Sequence, residues 1–174
     1  MSILDRIISM KPKEETDWEQ VYIDFLPRVF HYFWYKTRDV YLAEDLTSTT
    51  FEKIWRSRKQ FDPTRGRMER WIFRSARNIF IDYLRSKTSD LEIREKVIPN
   101  NTEDNPECVS LVFSEVLSVL AKLPAREQEL ISLKYGAELT NREISKLTGI
   151  SESNVGTILH RTIGILREKW TENE

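Results

Sequence analysis

The 174-residue chain is predicted to be all-α: two small helical domains joined by a flexible acidic linker, the second containing a helix-turn-helix. Three observations predict it. Glycine (5) and proline (6) are scarce, and helix-forming residues with apolar positions spaced at about 3.6 residues dominate. Asp, Ser or Thr stands at the start of several of these periodic runs, as a helix N-cap requires. Residues 88–107, TSDLEIREKVIPNNTEDNPE, are acidic, lack aromatics and carry Pro99, Asn100, Asn101, Asn105 and Pro106. Such a composition cannot bury enough surface to fold alone, so it divides the chain. The expected organisation is a lead over 1–16, a first domain over 17–87, the linker over 88–107 and a second domain over 108–174.

The lead MSILDRIISM has a short apolar patch (Ile3, Leu4, Ile7, Ile8) but no basic stretch followed by a long apolar run. Nowhere do 18 apolar residues follow one another, so neither export nor membrane insertion is expected. A single cysteine, Cys108, excludes an intrachain disulfide and suits the reducing cytoplasm.

The first helix opens at Asp17 and continues as WEQVYIDFLPRVFHYFWYK. Pro27 is expected to kink or split it, since proline lacks a donor and crowds the preceding turn. The aromatics from Phe25 to Tyr35 read as core, with His31 packed among them or at the rim. A second helix is expected from about Leu42 to Arg58, with Leu46, Phe51, Ile54 and Trp55 apolar. Thr47–Thr50 are poor helix formers, so tertiary packing must hold that turn. Asp62-Pro63-Thr64-Arg65-Gly66 then breaks the chain.

The third helix, RMERWIFRSARNIFIDYLRSK over 67–87, has two unlike faces. Arg67, Arg70, Arg74, Arg77 and Arg85 share a narrow arc, with Trp71 and Asn78 beside it. Met68, Ile72, Phe73, Ala76, Ile79, Phe80, Tyr83 and Leu84 form the apolar stripe. A solvated charged face is the plain reading of such an arc. Guanidinium groups pair with phosphate, however, and a partly exposed indole offers a flat surface for a base, so a nucleic-acid platform is the sharper one. Charge distribution favours the latter. The net charge is only −1, yet residues 47–87 hold eleven bases against four acids, while 1–46 and 88–118 are acidic.

In the second domain, Val109, Val112, Phe113, Val116, Leu117 and Leu120 mark an amphipathic helix, and Pro124 opens the next, which runs to about Lys134. Thr140-Asn141-Arg142-Glu143 is a capping box for a short helix with Ile144 and Leu147 inward. Gly149 fits a tight turn, Ile150 plugs its corner and Ser151 caps the last helix. There Val155, Ile158, Leu159, Thr162 and Leu166 form the buried stripe, and Ser153, Asn154, Thr157, His160 and Arg161 the exposed one. These offsets describe a helix-turn-helix, whose second helix presents groups of the kind that read base edges in the major groove. A purely structural helical hairpin is the alternative.

Taken together, AEDLTSTTFEKIW (43–55), RWIFRSARNIFIDYLR (70–85), the acidic linker and LPAREQELISLKYGAELTNREISKLTGISESNVGTILHRTIGILRE (123–168) resemble a bacterial extracytoplasmic-function sigma factor, the smallest type of RNA polymerase sigma subunit. The resemblance covers about residues 17–170. It implies an alternative sigma factor that directs core polymerase to specific promoters and helps open them. Asp45, Leu46, Ser48, Thr49 and Phe51 would dock on the polymerase clamp. Phe61, Thr64, Arg65, Arg67, Arg70, Trp71, Arg74, Arg77 and Asn78 would hold the melted −10 strand, with an unstacked base in the loop pocket. Ser151, Ser153, Asn154, Thr157, His160 and Arg161 would read the −35 duplex. It further implies an anti-sigma factor as a partner, and no cofactor.

Two departures from the family pattern stand out. Ser48-Thr49 replaces the usual Gln-Glu, and Gly156 and Ile158 stand where a Lys and an Arg are usual. Fewer phosphate contacts imply weak −35 binding in isolation and a flattened salt dependence. The competing reading is a stand-alone helix-turn-helix regulator whose first domain senses a ligand or dimerises. An enzyme acting on nucleic acid has little support: the two histidines are far apart, and no phosphate-cradling glycine loop or metal-ligand cluster is visible.

Overall fold

A computed structural model of the chain describes residues 16–93 and 119–171. The lead, the expected helix over 109–117, Cys108 and most of the linker lie outside the described residues. Among those described there is helix and turn but no strand.

Helix α1 spans Trp18–Thr37, and Asp17 caps it by accepting from the Gln20 amide. Of the kink or split expected at Pro27, the split does not occur: the helix runs through it as one element. The carbonyl deprived of its donor belongs to Ile23, whose side chain is 56% exposed, so water can take the place of the missing bond. Inward, Phe25, Val29, Tyr32 and Phe33 are buried on both sides of the proline, and this packing holds the helical backbone across it.

Helix α2 spans Val40–Ser57, capped by Asp39. The weak run Thr47–Thr50 is held as expected by packing, and it also satisfies itself. Thr47 and Thr50 are buried and donate their hydroxyls back to the Ala43 and Leu46 carbonyls at 2.6 and 2.7 Å. A 3-10 turn over Arg58–Gln60 follows, then a loop, then α3 over Met68–Ile93. Its backbone continues beyond Lys87, so the first residues assigned to the linker are helical. Ile72, Phe73, Ala76 and Ile79 of α3 are buried against α1 and α2, which makes the first core a three-helix packing.

In the second half, α4 spans Ala125–Ile131 and runs into a π-helical turn over Ser132–Gly136. Helix α5 spans Asn141–Thr148 and α6 spans Glu152–Thr171. Both arms of the Thr140–Glu143 capping box are formed. Gly149 ends α5 at φ 78°, a conformation that carries little penalty only without a Cβ. Ser151 accepts from the Asn154 amide to start α6. Ile144, Leu147, Val155, Ile158, Leu159 and Thr162 are buried between the two helices, with Leu130 and Leu133 beneath them.

The two halves pack on each other. Gly136 lies against α1 so closely that a Cβ there would meet the His31 backbone at 2.9 Å. Arg28 of α1 donates to the Ala137 carbonyl at 2.9 Å while its guanidinium lies over the Phe25 ring. The π-helical turn makes this approach: its extra residue closes the Ala137 amide onto the Ser132 carbonyl and presents the glycine edge-on to α1.

Candidate nucleic-acid interface

The loop between α2 and α3 is built by Asp62. Its carboxylate accepts from the Thr64 amide at 3.0 Å and the Thr64 hydroxyl at 2.7 Å, and its carbonyl accepts from the Arg65 amide. Arg70 reaches back from α3 to the Arg65 carbonyl at 2.8 Å. The loop is thus a preformed turn pinned to the helix. Behind it lies a hollow of about 150 Å³, lined by Phe61, Asp62, Arg65, Arg70, Trp71 and Arg74, among others. One wall is aromatic, the other cationic.

The aromatic wall, Phe61 and Trp71, is backed by a residue the sequence pattern did not single out. Trp18, from the start of α1, sits edge-on to Trp71 at 6.0 Å and to Phe61 at 6.2 Å, while Phe61 and Trp71 are 5.3 Å apart. Trp71 is therefore neither buried nor free: its ring is half-enclosed and held in one orientation. Only the distant origin of Trp18 hid it from a reading made helix by helix.

The arginine arc divides once the fold is seen. Arg74 and Asn78 are exposed, and Arg74 has no partner among the described residues. Arg65 and Arg67 are exposed as well, each in a loose surface pair, with Asp62 at 3.5 Å and Glu143 at 3.2 Å. Arg77 is different. Its Nε donates to Glu129 of α4 at 2.8 Å and its Nη1 to the Leu147 carbonyl at 2.9 Å. Leu147 lies in the last turn of α5, so the guanidinium also meets the negative end of that helix. Arg77 thus faces the second domain rather than solvent.

Glu129 is the second residue that no local pattern marks. Besides Arg77 it pairs with Lys36 and accepts from the Tyr32 hydroxyl at 3.2 Å. Burial, and then the Glu129 charge, push the Tyr32 phenol well above its ordinary value, so the hydroxyl stays a donor.

On α2, Asp45, Ser48 and Thr49 are exposed, Phe51 is half-buried against Tyr22 at 4.9 Å, and Leu46 is only 5% exposed. Leu46 thus fixes the helix in the core and presents no surface of its own. Beside this face lies an apolar cleft of about 240 Å³ lined by Trp18, Val21, Tyr22, Phe51, Ile54 and Trp55.

On α6, Ser151, Ser153, Asn154, Thr157, His160 and Arg161 are all exposed along one side. Arg161 is paired with Glu127 of α4. The two positions that depart from the family pattern behave differently. Gly156 sits at the edge of this face near Asn141, whereas Ile158 is 8% exposed and belongs to the core. Only Gly156 thus removes a cation from the exposed face. Burial pushes the Glu143 carboxyl up, but the Thr140 amide and hydroxyl and Arg67 outweigh it and leave it below the usual carboxylate range.

No helix among the described residues is long and apolar enough to cross a membrane. Among them, too, no three His, Cys, Asp or Glu side chains converge as metal ligands would.

Comparison with known proteins agrees with these features. Sigma-70 region 2 matches residues 21–89 and Sigma-70 region 4 matches residues 113–163. The ECF RNA polymerase sigma factor SigM of Bacillus subtilis (strain 168) is 30% identical over 147 residues, covering 82% of this chain and 88% of SigM. The RNA polymerase sigma factor YlaC of the same organism is 29% identical over 92% of this chain and 96% of its own. The fold matches that of the sigma factor RpoE crystallised with the anti-sigma factor NepR from Bartonella quintana. The TM-score is 0.77 at 20% identity, over 91% of this chain and 99% of that one. With both halves matched in order, and a relative at this identity spanned almost end to end, the chain belongs to the extracytoplasmic-function family of RNA polymerase sigma factors.

Proposed function

We propose that the chain directs core RNA polymerase to promoters through two DNA-facing surfaces carried on its two halves, and that it performs no catalysis of its own. The observation that carries this reading is the hollow between the Asp62 loop and α3. It pairs a fixed aromatic wall with Arg65, Arg70 and Arg74, as a site for an unstacked base on a phosphate backbone requires. Phe61, Thr64, Arg65, Arg67, Arg70, Trp71, Arg74, Arg77 and Asn78 take the −10 strand in this reading. The exposed side of α6, from Ser151 to Arg161, takes the −35 duplex.

Polymerase docks on the exposed face of α2 at Asp45, Ser48 and Thr49, with Phe51 and the adjoining apolar cleft supplying the buried part of the contact. Leu46 supports that face from behind. The domain limits proposed are 17–87 and 108–174, the interval between them being the connector. An anti-sigma factor is a further partner, since relatives of this fold are crystallised with one. The cytoplasm, where polymerase is, is the proposed location.

Strand opening would be driven by binding energy, with the captured base offsetting a few kcal/mol of lost stacking. Reconstitution tests it. Mixed with core polymerase, the chain confers promoter-specific transcription, and Trp71→Ala with Arg74→Ala impairs opening more than closed-complex binding. Equal loss of both steps would reject the assignment of the hollow. The stand-alone regulator is not favoured, because both halves match regions of one family.

A further inference from the structure

Along the exposed side of α6 from Ser151 to Arg161, Arg161 is the one arginine or lysine. Glycine at 156 and a core isoleucine at 158 supply no cation there, so any guanidinium contact with the duplex from this stretch falls to Arg161. Its Nη2 donates to Oε1 of Glu127, in the first turn of α4. We propose that Glu127 is a positioning residue: it holds the Arg161 fork toward the major groove, where the fork reads one guanine of the −35 duplex. This inference rests on the functional reading above and adds to it the base read and the residue that aims the reader.

Three observations carry it. First, the pair is unequal. The Arg161 side chain is 63% exposed and that of Glu127 only 11%, so the acid is fixed in the body of the domain and the base projects from it. Among the described residues Arg161 is the one partner of the Glu127 carboxylate. An ion pair with one exposed member adds little stability, and Leu130, Leu133 and Leu159 already bury the contact between α4 and α6. Fastening the two helices is therefore a poor account of it. Second, the contact leaves the fork usable. A guanidinium carries five N–H donors, and Glu127 takes one of the two on Nη2. Whichever it takes, one planar two-donor edge stays whole, either Nη1 with Nη2 or Nε with Nη2. Such an edge matches O6 and N7 of guanine in the major groove.

Third, the register calls for an aimed side chain. Asn154, Thr157 and Arg161 follow one another at helical spacing along one exposed face. Arg161 lies well beyond Glu152, about 13 Å along the axis at ~1.5 Å per residue. A helix that enters the groove N-terminus first is withdrawing from the base edges by that point. Only a long side chain held in one direction spans the gap. A free arginine divides its time among neighbouring phosphates, and ordering it on binding costs roughly two- to tenfold in affinity. The pair with Glu127 orders it beforehand.

Four substitutions separate aim from fold. Glu127→Ala removes the support, and Glu127→Gln keeps an acceptor at the same reach. Arg161→Ala removes the reader, and Arg161→Lys keeps its charge without the two-donor edge. Each is made in the full chain and assembled with core polymerase. The templates derive from one promoter used by the parent, with the −35 region randomised and a barcode in the transcribed part. Sequencing the transcripts gives the base preference at each −35 position, and circular dichroism melts verify folding.

The expected result is one position at which the parent prefers guanine, on either strand, by roughly 5- to 150-fold. Arg161→Ala and Arg161→Lys both abolish that preference. Glu127→Ala lowers it roughly two- to tenfold at that position and leaves the others as they were, and Glu127→Gln restores most of it. If Arg161→Ala erases no guanine preference, the fork reads no guanine. If Glu127→Ala leaves intact a preference that Arg161→Ala erases, or flattens every position alike, Glu127 does not aim the fork. A parent that initiates from no promoter with core polymerase sinks the functional reading itself. A parent that initiates with preferences indifferent to both residues sinks this inference alone.

Discussion

Replacing Trp71 by alanine separates the role of the aromatic wall from its role in the fold. The ring is half-enclosed and contacts Trp18 and Phe61 at 6.0 and 5.3 Å. Full truncation of a buried aromatic costs roughly 3–5 kcal/mol, and a half-enclosed ring about half of that. Stability is therefore expected to fall by about 2 kcal/mol, which a domain of this kind survives. The lost base stacking is worth roughly 1–3 kcal/mol, or about 5- to 150-fold in the open complex. Permanganate reactivity of unpaired thymines reads the open complex, and a mobility shift on ice reads the closed one. Trp71→Phe keeps a flat ring in the same contacts, so it should restore most of the opening as well as the stability. The reasoning is refuted if Trp71→Ala folds, binds polymerase and yields parental permanganate reactivity.

Other consequences follow from the second domain. Thr140→Ala removes the side-chain arm of the capping box and should lower unfolding free energy by about 1 kcal/mol in denaturant titration. Because the folded Glu143 carboxyl is held below its ordinary value, its contribution is complete above that value and is lost as the pH falls through the depressed one. Thermal melts from neutral to acid pH should therefore converge for the parent and the Thr140 variant. Gly149→Ala meets no atom within 4 Å, so its cost is the left-handed backbone alone, roughly 1–2 kcal/mol by the same titration. Gly156→Lys restores a cation at the edge of the exposed face of α6, and should steepen the salt dependence of −35 duplex binding by about one counterion.

Much of this molecule was legible residue by residue because its signals are local. The capping box, the left-handed glycine and the Ser151 cap each sit within four residues of the groups they satisfy, and the two faces of α3 follow from helical period alone. The Thr47–Thr50 turn also behaved as propensity required: it needed packing and received it. What escaped is long-range. Glu129 is an ordinary acid on a short helix until Tyr32, Lys36 and Arg77 arrive from elsewhere in the chain. Trp18 joins Phe61 and Trp71 only when α1 is laid against α3. Periodicity placed Arg77 on the arginine arc correctly but carried no information about what covers it. At Pro27 the local rule that would split the helix was outweighed by buried residues on either side of it.

The central assertion is that one chain carries both a single-strand grip and a duplex reader, usable together only on polymerase. Run-off transcription with purified core polymerase across a library of genomic promoters tests it most directly. Initiation at a defined subset of promoters that depends on this chain, and is lost in the Trp71→Ala/Arg74→Ala protein while closed complexes persist, is the predicted result. Tight sequence-specific duplex binding by the chain alone, with no promoter-dependent transcript in the presence of core polymerase, would contradict it.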